Sequence, residues 1–447
     1  MNTKAVKNVV ILGGGTAGWI TASVLVKILG KVINITLVES DDIGIVGVGE
    51  ATIPPIINFN AALGLDEKAF IRETQGSIKL GIQFENWGKP GDSYMHAFGS
   101  IGKEFPFCNF HHFWLKSKQL GMGFDFWDFS LAYQAARQNH FAKLARIEGV
   151  NLPGLSYAYH FDAGLYAQFL RRFCEPLGVK RIEGTVKKVH LDPVKGEVTR
   201  LTLASGNEVE GDLFVDCTGL HSLLIDKSLN TGFEDWSHWL PADSALAVPC
   251  ESVHPITPYT KAIAHPKGWQ WRIPLQHRIG NGFVYSSKYC SDDEAKQTLL
   301  SNLDGKALAE PRKISFRTGR RLKQWNRNVV SIGLSSGFLE PLESTSIHLI
   351  QSGVFRLLKF FPHSGITDAA RDEFNRQSKV EFEQIRDFII LHYKLNTRGD
   401  SQYWKDYQAM DIPESLRRKI DLFSASGLIF REQDELFTEV AWQQVFI

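Results

Sequence analysis

Gly13, Gly15 and Gly18, spaced Gly-x-Gly-x-x-Gly, are the first residues whose types and spacing point to a chemistry. The first glycine permits a tight turn, and the second lets backbone approach a pyrophosphate. The third allows close helix–strand packing, and the helix N-terminus offers free N–H groups to the anion. Thr16 and Ala17 lie inside the motif. Alone it is a weak sign, so the elements around it decide. The β-branched run Val6 to Leu12 reads as a buried strand, and Ala17 to Leu29 reads as a helix. Val32 to Val38 reads as a second strand, ended by Glu39. A carboxylate there can hold ribose hydroxyls and disfavours a 2′-phosphate. The expectation is a dinucleotide site; the rival is a glycine-rich turn with no ligand. FAD and NAD both remain open at this point.

Other residue types exclude more than they assign. His111 and His112 could suggest a metal pair, but adjacent residues on a strand point apart and no carboxylate completes a site, so no metal is expected. Cys108, Cys174, Cys217, Cys250 and Cys290 are odd in number, widely spaced and without C-x-x-C, which fits buried thiols in a reducing compartment. The chain has 447 residues, 50 Lys plus Arg against 49 Asp plus Glu, and 43% hydrophobic residues. That balance argues against nucleic acid, disorder and coiled coil. Aromatics reach 12%, enough for a large core or for a site that binds flat ligands.

The apolar run from Val9 to Leu29 imitates a signal peptide, but its glycines interrupt it. No other stretch reaches membrane length without charges, so a cytoplasmic protein is expected. Ser40 to Thr52 reads as a loop. Leu165 to Phe173, Ile347 to Phe361 and Asp368 to Tyr393 read as helices. Val179 to Val189, Val198 to Ala204, Leu213 to Cys217 and Val329 to Ile332 read as strands. No repeat or linker is evident, so the modules should be interleaved.

Four further segments carry a resemblance. Gly268 to Pro274 contains Trp269-x-Trp271-x-Ile273-Pro274. Gly47 to Pro54 reads GVGEATIP, Ser77 to Gly81 reads SIKLG, and Gly333 to Ser346 reads GLSSGFLEPLESTS. Together they resemble flavin-dependent halogenases of the tryptophan halogenase type, in family order from about Val9 to about Trp404. The resemblance implies an α/β fold: an FAD-binding Rossmann-type module with a second β-sheet and a C-terminal helical substrate module. It implies flavin contacts at Gly13, Gly15, Thr16, Ala17, Gly18, Glu39, Gly49, Ala51, Val186, Gly333 and Leu334. Lys79 takes the place of the catalytic lysine and Glu343 that of the catalytic carboxylate. Thr345 and Ser346 take the halide site, with Ser346 where several relatives have Gly. His96, Phe98, Trp269 and Trp271 take the substrate pocket, the tryptophans walling it from the flavin.

Each of these residues also has a plainer reading. Lys79 could be a surface lysine on a partly apolar strand, and Glu343 a helix N-terminal charge. Glu340 fits the loop better than the chemistry. His96 could be structural, and the tryptophans core. The chemistry that the resemblance implies consumes reduced FAD, O₂ and halide to give hypohalous acid, which Lys79 guides to an electron-rich indole or phenol. Reduced flavin would come from a separate reductase. The expected modules are residues 1–360, with FAD segments about 5–55, 165–225 and 325–360 and substrate segments about 75–160 and 235–320, then a helical region 361–447. Rivals are an FAD aromatic monooxygenase, against which Leu334 after Gly333 argues, and a non-catalytic flavin binder. From Gln402 the match is loose. The substrate, its regiochemistry, the preferred halide and any homo-oligomer stay open.

Overall fold

A computed structural model describes residues 5–43, 49–149 and 152–447. The apolar run near the N-terminus forms the strand Asn8–Leu12 at the centre of a six-stranded sheet. The strand order is Lys180–Glu183, Asn34–Glu39, Asn8–Leu12, Leu213–Asp216, Val329–Ser331 and Trp325–Asn326. The first five are parallel and only the last pair is antiparallel. Parallel strands are covered on both faces, which is why these segments are near-continuous apolar runs. The helix Thr16–Leu29 lies in one core with Tyr166, Leu170, Ile350 and Val354 from the helices Ala163–Cys174 and Ser346–Lys359.

A second sheet of seven strands is mostly antiparallel. Its order is Arg312–Ser315, Ser244–Cys250, Ile279–Tyr285, Gly268–Pro274, Thr260–His265, Gly81–Glu85 and Ser93–Ala97. One face packs on the 27-residue helix Asp368–Lys394 through Phe382, Ile385, Phe388, Ile389 and Tyr393. Gln402–Ala409, Glu414–Ser426 and Glu439–Phe446 complete the helical C-terminus. Between the large sheets sits a small one, Glu50–Ala51, Ala158–Phe161 and Ser77–Lys79, all antiparallel.

Several sequence expectations change. Val179 to Val189 is not one strand: Gly184 takes φ +155° and gives its N–H to Glu39, so Lys180–Glu183 and Val186–Leu191 join different sheets. The stretch read as a loop ends in the strand Glu50–Ala51, which pairs with Phe161 and His160. Residues 44–48, with the Gly47 and Val48 of GVGEATIP, lie outside the described residues. His111 and His112 stand on the helix Phe110–Gln119, not a strand; their rings sit 4.0 Å apart and His111 Nε2 bonds the Gly427 carbonyl. Among the described residues no His, Cys, Asp or Glu cluster could hold a metal, and no helix is long and apolar enough to cross a membrane. The five cysteines are unpaired, with Cys108 half-buried and the rest buried.

Candidate active site

The glycine loop closes the first strand onto its helix. Gly13 takes φ +112°, and a side chain there would run into the Cys217 carbonyl. A Cβ on Gly18 would meet the Gly13 carbonyl. One on Gly15 would meet nothing within 4 Å. Gly15 begins the helix without a side-chain cap, so the first N–H groups face an open mouth, as a pyrophosphate requires. Thr16 is buried, its hydroxyl 3.5 Å from the Ala163 carbonyl. Gly333 turns at φ +77° so close to Ala17 that a Cβ would come within 2.8 Å of the alanine methyl, and Leu334 follows it in the turn Gly333–Ser335. Beneath the loop, Glu39 accepts from Arg181 Nε at 2.5 Å and Trp19 Nε1 at 3.4 Å. Val186 is half-buried against the core cluster that includes Leu12 and Val38. The open space at Gly15, the uncapped helix and the acid below fit an FAD diphosphate and ribose.

The second sheet meets this mouth through the small one. Gly49 packs on Ile273 and Leu275, each 3.6 Å from where its Cβ would lie, and Ala51 joins the core of Trp269, Trp271 and Ile273. Ser77 donates to the Pro274 carbonyl at 2.6 Å, tying the lysine strand to the tryptophan strand. Both indoles are buried, their centroids 6.2 Å apart. Trp271 lies over Gly282, where a Cβ would overlap its ring. Trp269 Nε1 donates to Glu340 at 3.0 Å, and the Tyr393 hydroxyl donates to the same oxygen at 2.5 Å.

Lys79 is completely buried, so the surface reading fails. Its Nζ donates to the Ser344 hydroxyl at 2.7 Å and lies 5.4 Å from the Phe98 ring centroid. Burial pushes its pKa down to about 7, against the pull of Glu343. Glu343 is also buried, in the turn Pro341–Glu343, and not a surface charge at a helix start. His96 Nδ1 lies 2.7 Å from one carboxylate oxygen and His392 Nε2 lies 2.7 Å from the other, the second contact being oblique. Burial alone would raise this carboxyl; the two imidazoles outweigh it and hold the pKa near 2. Ser344 follows at φ +57°, and buried Thr345 then leads into Ser346–Lys359 with no side-chain cap. Thr345 and half-buried Ser346 thus sit at a helix start suited to an anion.

Of the residues singled out in the sequence, the structure brings Lys79, Glu343, His96 and Phe98 together. Beside them lie Ser344, His392 and Tyr94, whose hydroxyl is 2.7 Å from His392 Nδ1; the sequence singled out none of the three. Ser344 carried a signal, since it adjoins Glu343; His392 sits on a helical stretch and is brought in only by packing.

The tryptophan halogenase family model matches residues 8–447, past the Trp404 at which the resemblance was expected to thin. Tryptophan 6-halogenase SttH of Streptomyces toxytricini is 37% identical over 445 residues, covering 94% of this chain and 84% of that protein. The structure of Xcc4156, a flavin-dependent halogenase from Xanthomonas campestris, superposes with TM-score 0.95 at 50% identity, covering 99% of this chain and 88% of that one. BrvH, a flavin-dependent halogenase from Brevundimonas sp. BAL3, gives TM-score 0.95 at 46% identity, with 99% and 89% coverage. With its α/β Rossmann-type fold, the chain belongs to the tryptophan halogenase family of flavin-dependent enzymes.

Proposed function

We propose that the protein halogenates an electron-rich aromatic ring of indole or phenol type, with Lys79 and Glu343 as its catalytic residues. The observation that carries this is the buried meeting of Lys79 Nζ with the turn that holds Glu343, through Ser344 at 2.7 Å. The glycine loop, Glu39, Gly333 and Leu334 hold FAD, with Gly49, Ala51 and Val186 flanking it. When bound, reduced FAD with O₂ and halide supplies hypohalous acid. Thr345 and Ser346 hold the halide at the helix start.

Lys79 then holds the hypohalous acid by a hydrogen bond from Nζ. The balance is ArH + HOX → ArX + H₂O. The ring's π electrons take the halogen and the departing oxygen takes a proton from Nζ. The ionised Glu343 stabilises the positive ring and accepts the proton that the ring carbon sheds. That proton returns to Lys79, whose pKa near neutrality lets it both give and take one. Phe98 and His96 border the ring, and the buried Trp269 and Trp271 separate it from the flavin.

The relative SttH is a tryptophan 6-halogenase, which supports an indole. Residues 1–360 are read as the interleaved FAD and substrate modules and 361–447 as the helical region, in a cytoplasmic enzyme served by a separate flavin reductase. The test is mass spectrometry of indoles and phenols incubated with protein, FAD, reductase, NADH, air and each halide. Halogenated product that disappears in Lys79→Ala is expected. A gain of oxygen alone contradicts the reading.

A further inference from the structure

Glu343 has a support that the catalytic scheme leaves unused. His392 is fully buried on the helix Asp368–Lys394, its Nε2 2.7 Å from Glu343. Its other nitrogen, Nδ1, lies 2.7 Å from the hydroxyl of Tyr94, from the strand Ser93–Ala97. Phe84 stacks on both rings, 4.8 Å from Tyr94 at 3° and 4.5 Å from His392 at 14°. Phe388 meets His392 edge-on at 5.4 Å and Trp87 does so at 6.1 Å. The imidazole is therefore caged and cannot exchange its two nitrogens by turning over.

A neutral imidazole carries one N–H and one lone pair, so its two partners decide the tautomer. With the proton on Nδ1, the Nε2 lone pair would lie beside a carboxylate oxygen at 2.7 Å, two negative ends close together. With the proton on Nε2, Tyr94 donates to Nδ1 and the positive end of the imidazole lies beside Glu343, obliquely but without a lone pair against it, so neither contact is repulsive. The other groups facing Glu343 are His96 from the strand Ser93–Ala97 and Lys79 from the strand Ser77–Lys79; Asp92 is a further charge facing Tyr94.

We propose that Tyr94 and His392 are positioning residues for Glu343: the Tyr94 hydroxyl donates to Nδ1, fixes His392 as the Nε2–H tautomer, and so sets the protonated edge of the ring, not a lone pair, beside the carboxylate. The arm complements His96 on the second oxygen and keeps Glu343 ionised and aimed at the ring, in the way an outer partner sets the tautomer of a catalytic histidine. Its effect on rate rests on the halogenase reading; its effect on Glu343 does not.

The experiment is difference infrared spectroscopy of the full chain, following the pH at which the Glu343 carboxyl gains its proton. The band is assigned by its loss in Glu343→Gln. In Tyr94→Phe the midpoint is expected to rise by about one pH unit, and kcat on indole to fall about ten-fold with KM unchanged. In a His392→Gln background, Tyr94→Phe is expected to add no further shift, because the tautomer it sets is gone. A merely structural role for Tyr94 would lower stability without moving the midpoint. An unchanged midpoint in folded Tyr94→Phe overturns the proposal. Should that variant not fold, an unchanged midpoint in His392→Gln overturns it equally. If the native protein halogenates nothing yet the midpoint moves, the functional reading falls and the Tyr94–His392 arm stands.

Discussion

Lys79 and Glu343 are both fully buried, yet their environments push them in different ways. Burial brings the Lys79 ammonium down to about 7, whereas His96 and His392 keep Glu343 near 2. Between about pH 7 and the ordinary lysine range, near 10.4, the unfolded chain binds a proton that the folded chain does not. This group therefore makes stability rise with pH across that window. Below it, the cost of the buried charge is present in full. Lys79→Met removes that cost, so it should stabilise the protein by roughly 1–4 kcal/mol at about pH 6, and the gain should shrink by about pH 9. Denaturant melts at the two values check it; a gain that grows with pH would contradict the assignment. Glu343→Gln keeps the shape and loses the charge, and should lower the halogenation rate about a hundred-fold or more. A rate within a few-fold of the native one would remove Glu343 from the mechanism.

At the scale of elements, the turn from Glu340 to Thr345 is fixed to the tryptophan strand. Glu340 is fully buried with no ion-pair partner among the described residues, and burial raises its pKa. Burial thus favours its protonated form, while one carboxyl oxygen accepts from both Trp269 Nε1 and the Tyr393 hydroxyl. Glu340→Gln should be tolerated, while Glu340→Ala strands two donors around a cavity and should cost about 3–5 kcal/mol by chemical denaturation. Equal losses in both variants would argue for a charged Glu340. The glycine loop gives a second contrast. Gly15→Ala fills space that the protein leaves open, so stability should hold while FAD binding weakens several-fold by fluorescence titration. Unweakened binding would move the diphosphate elsewhere. The first strand, its helix and the second strand were legible in the sequence because apolar period and glycine spacing are local signals. The break at Gly184 was not, because it depends on an N–H reaching Glu39 in a neighbouring strand. Lys79 was legible only through its motif: SIK alternates like a surface strand, and its burial comes from the Glu343 turn, more than 260 residues away. His392 was not legible at all, since helical period gives no sign of which buried face meets a carboxylate.

Across the whole molecule, the large sheets supply different halves of one site. The parallel sheet carries the glycine loop, and the strand Ser93–Ala97 of the second sheet carries His96. The small sheet between them carries both the Glu50–Ala51 strand and Lys79. Reduced flavin is expected from a separate protein, so omitting the reductase while keeping NADH and FAD should abolish product; undiminished product would show that the chain reduces its own flavin. On the proposed mechanism, Lys79 delivers halogen to an aromatic ring. The most direct measurement is the mass of an indole after incubation with FAD, reductase, NADH, air and bromide, run beside Lys79→Ala. The expected result is a bromine gained with the native protein and none with Lys79→Ala, while both oxidise flavin at equal rates. Bromoindole formed equally by both proteins would contradict it.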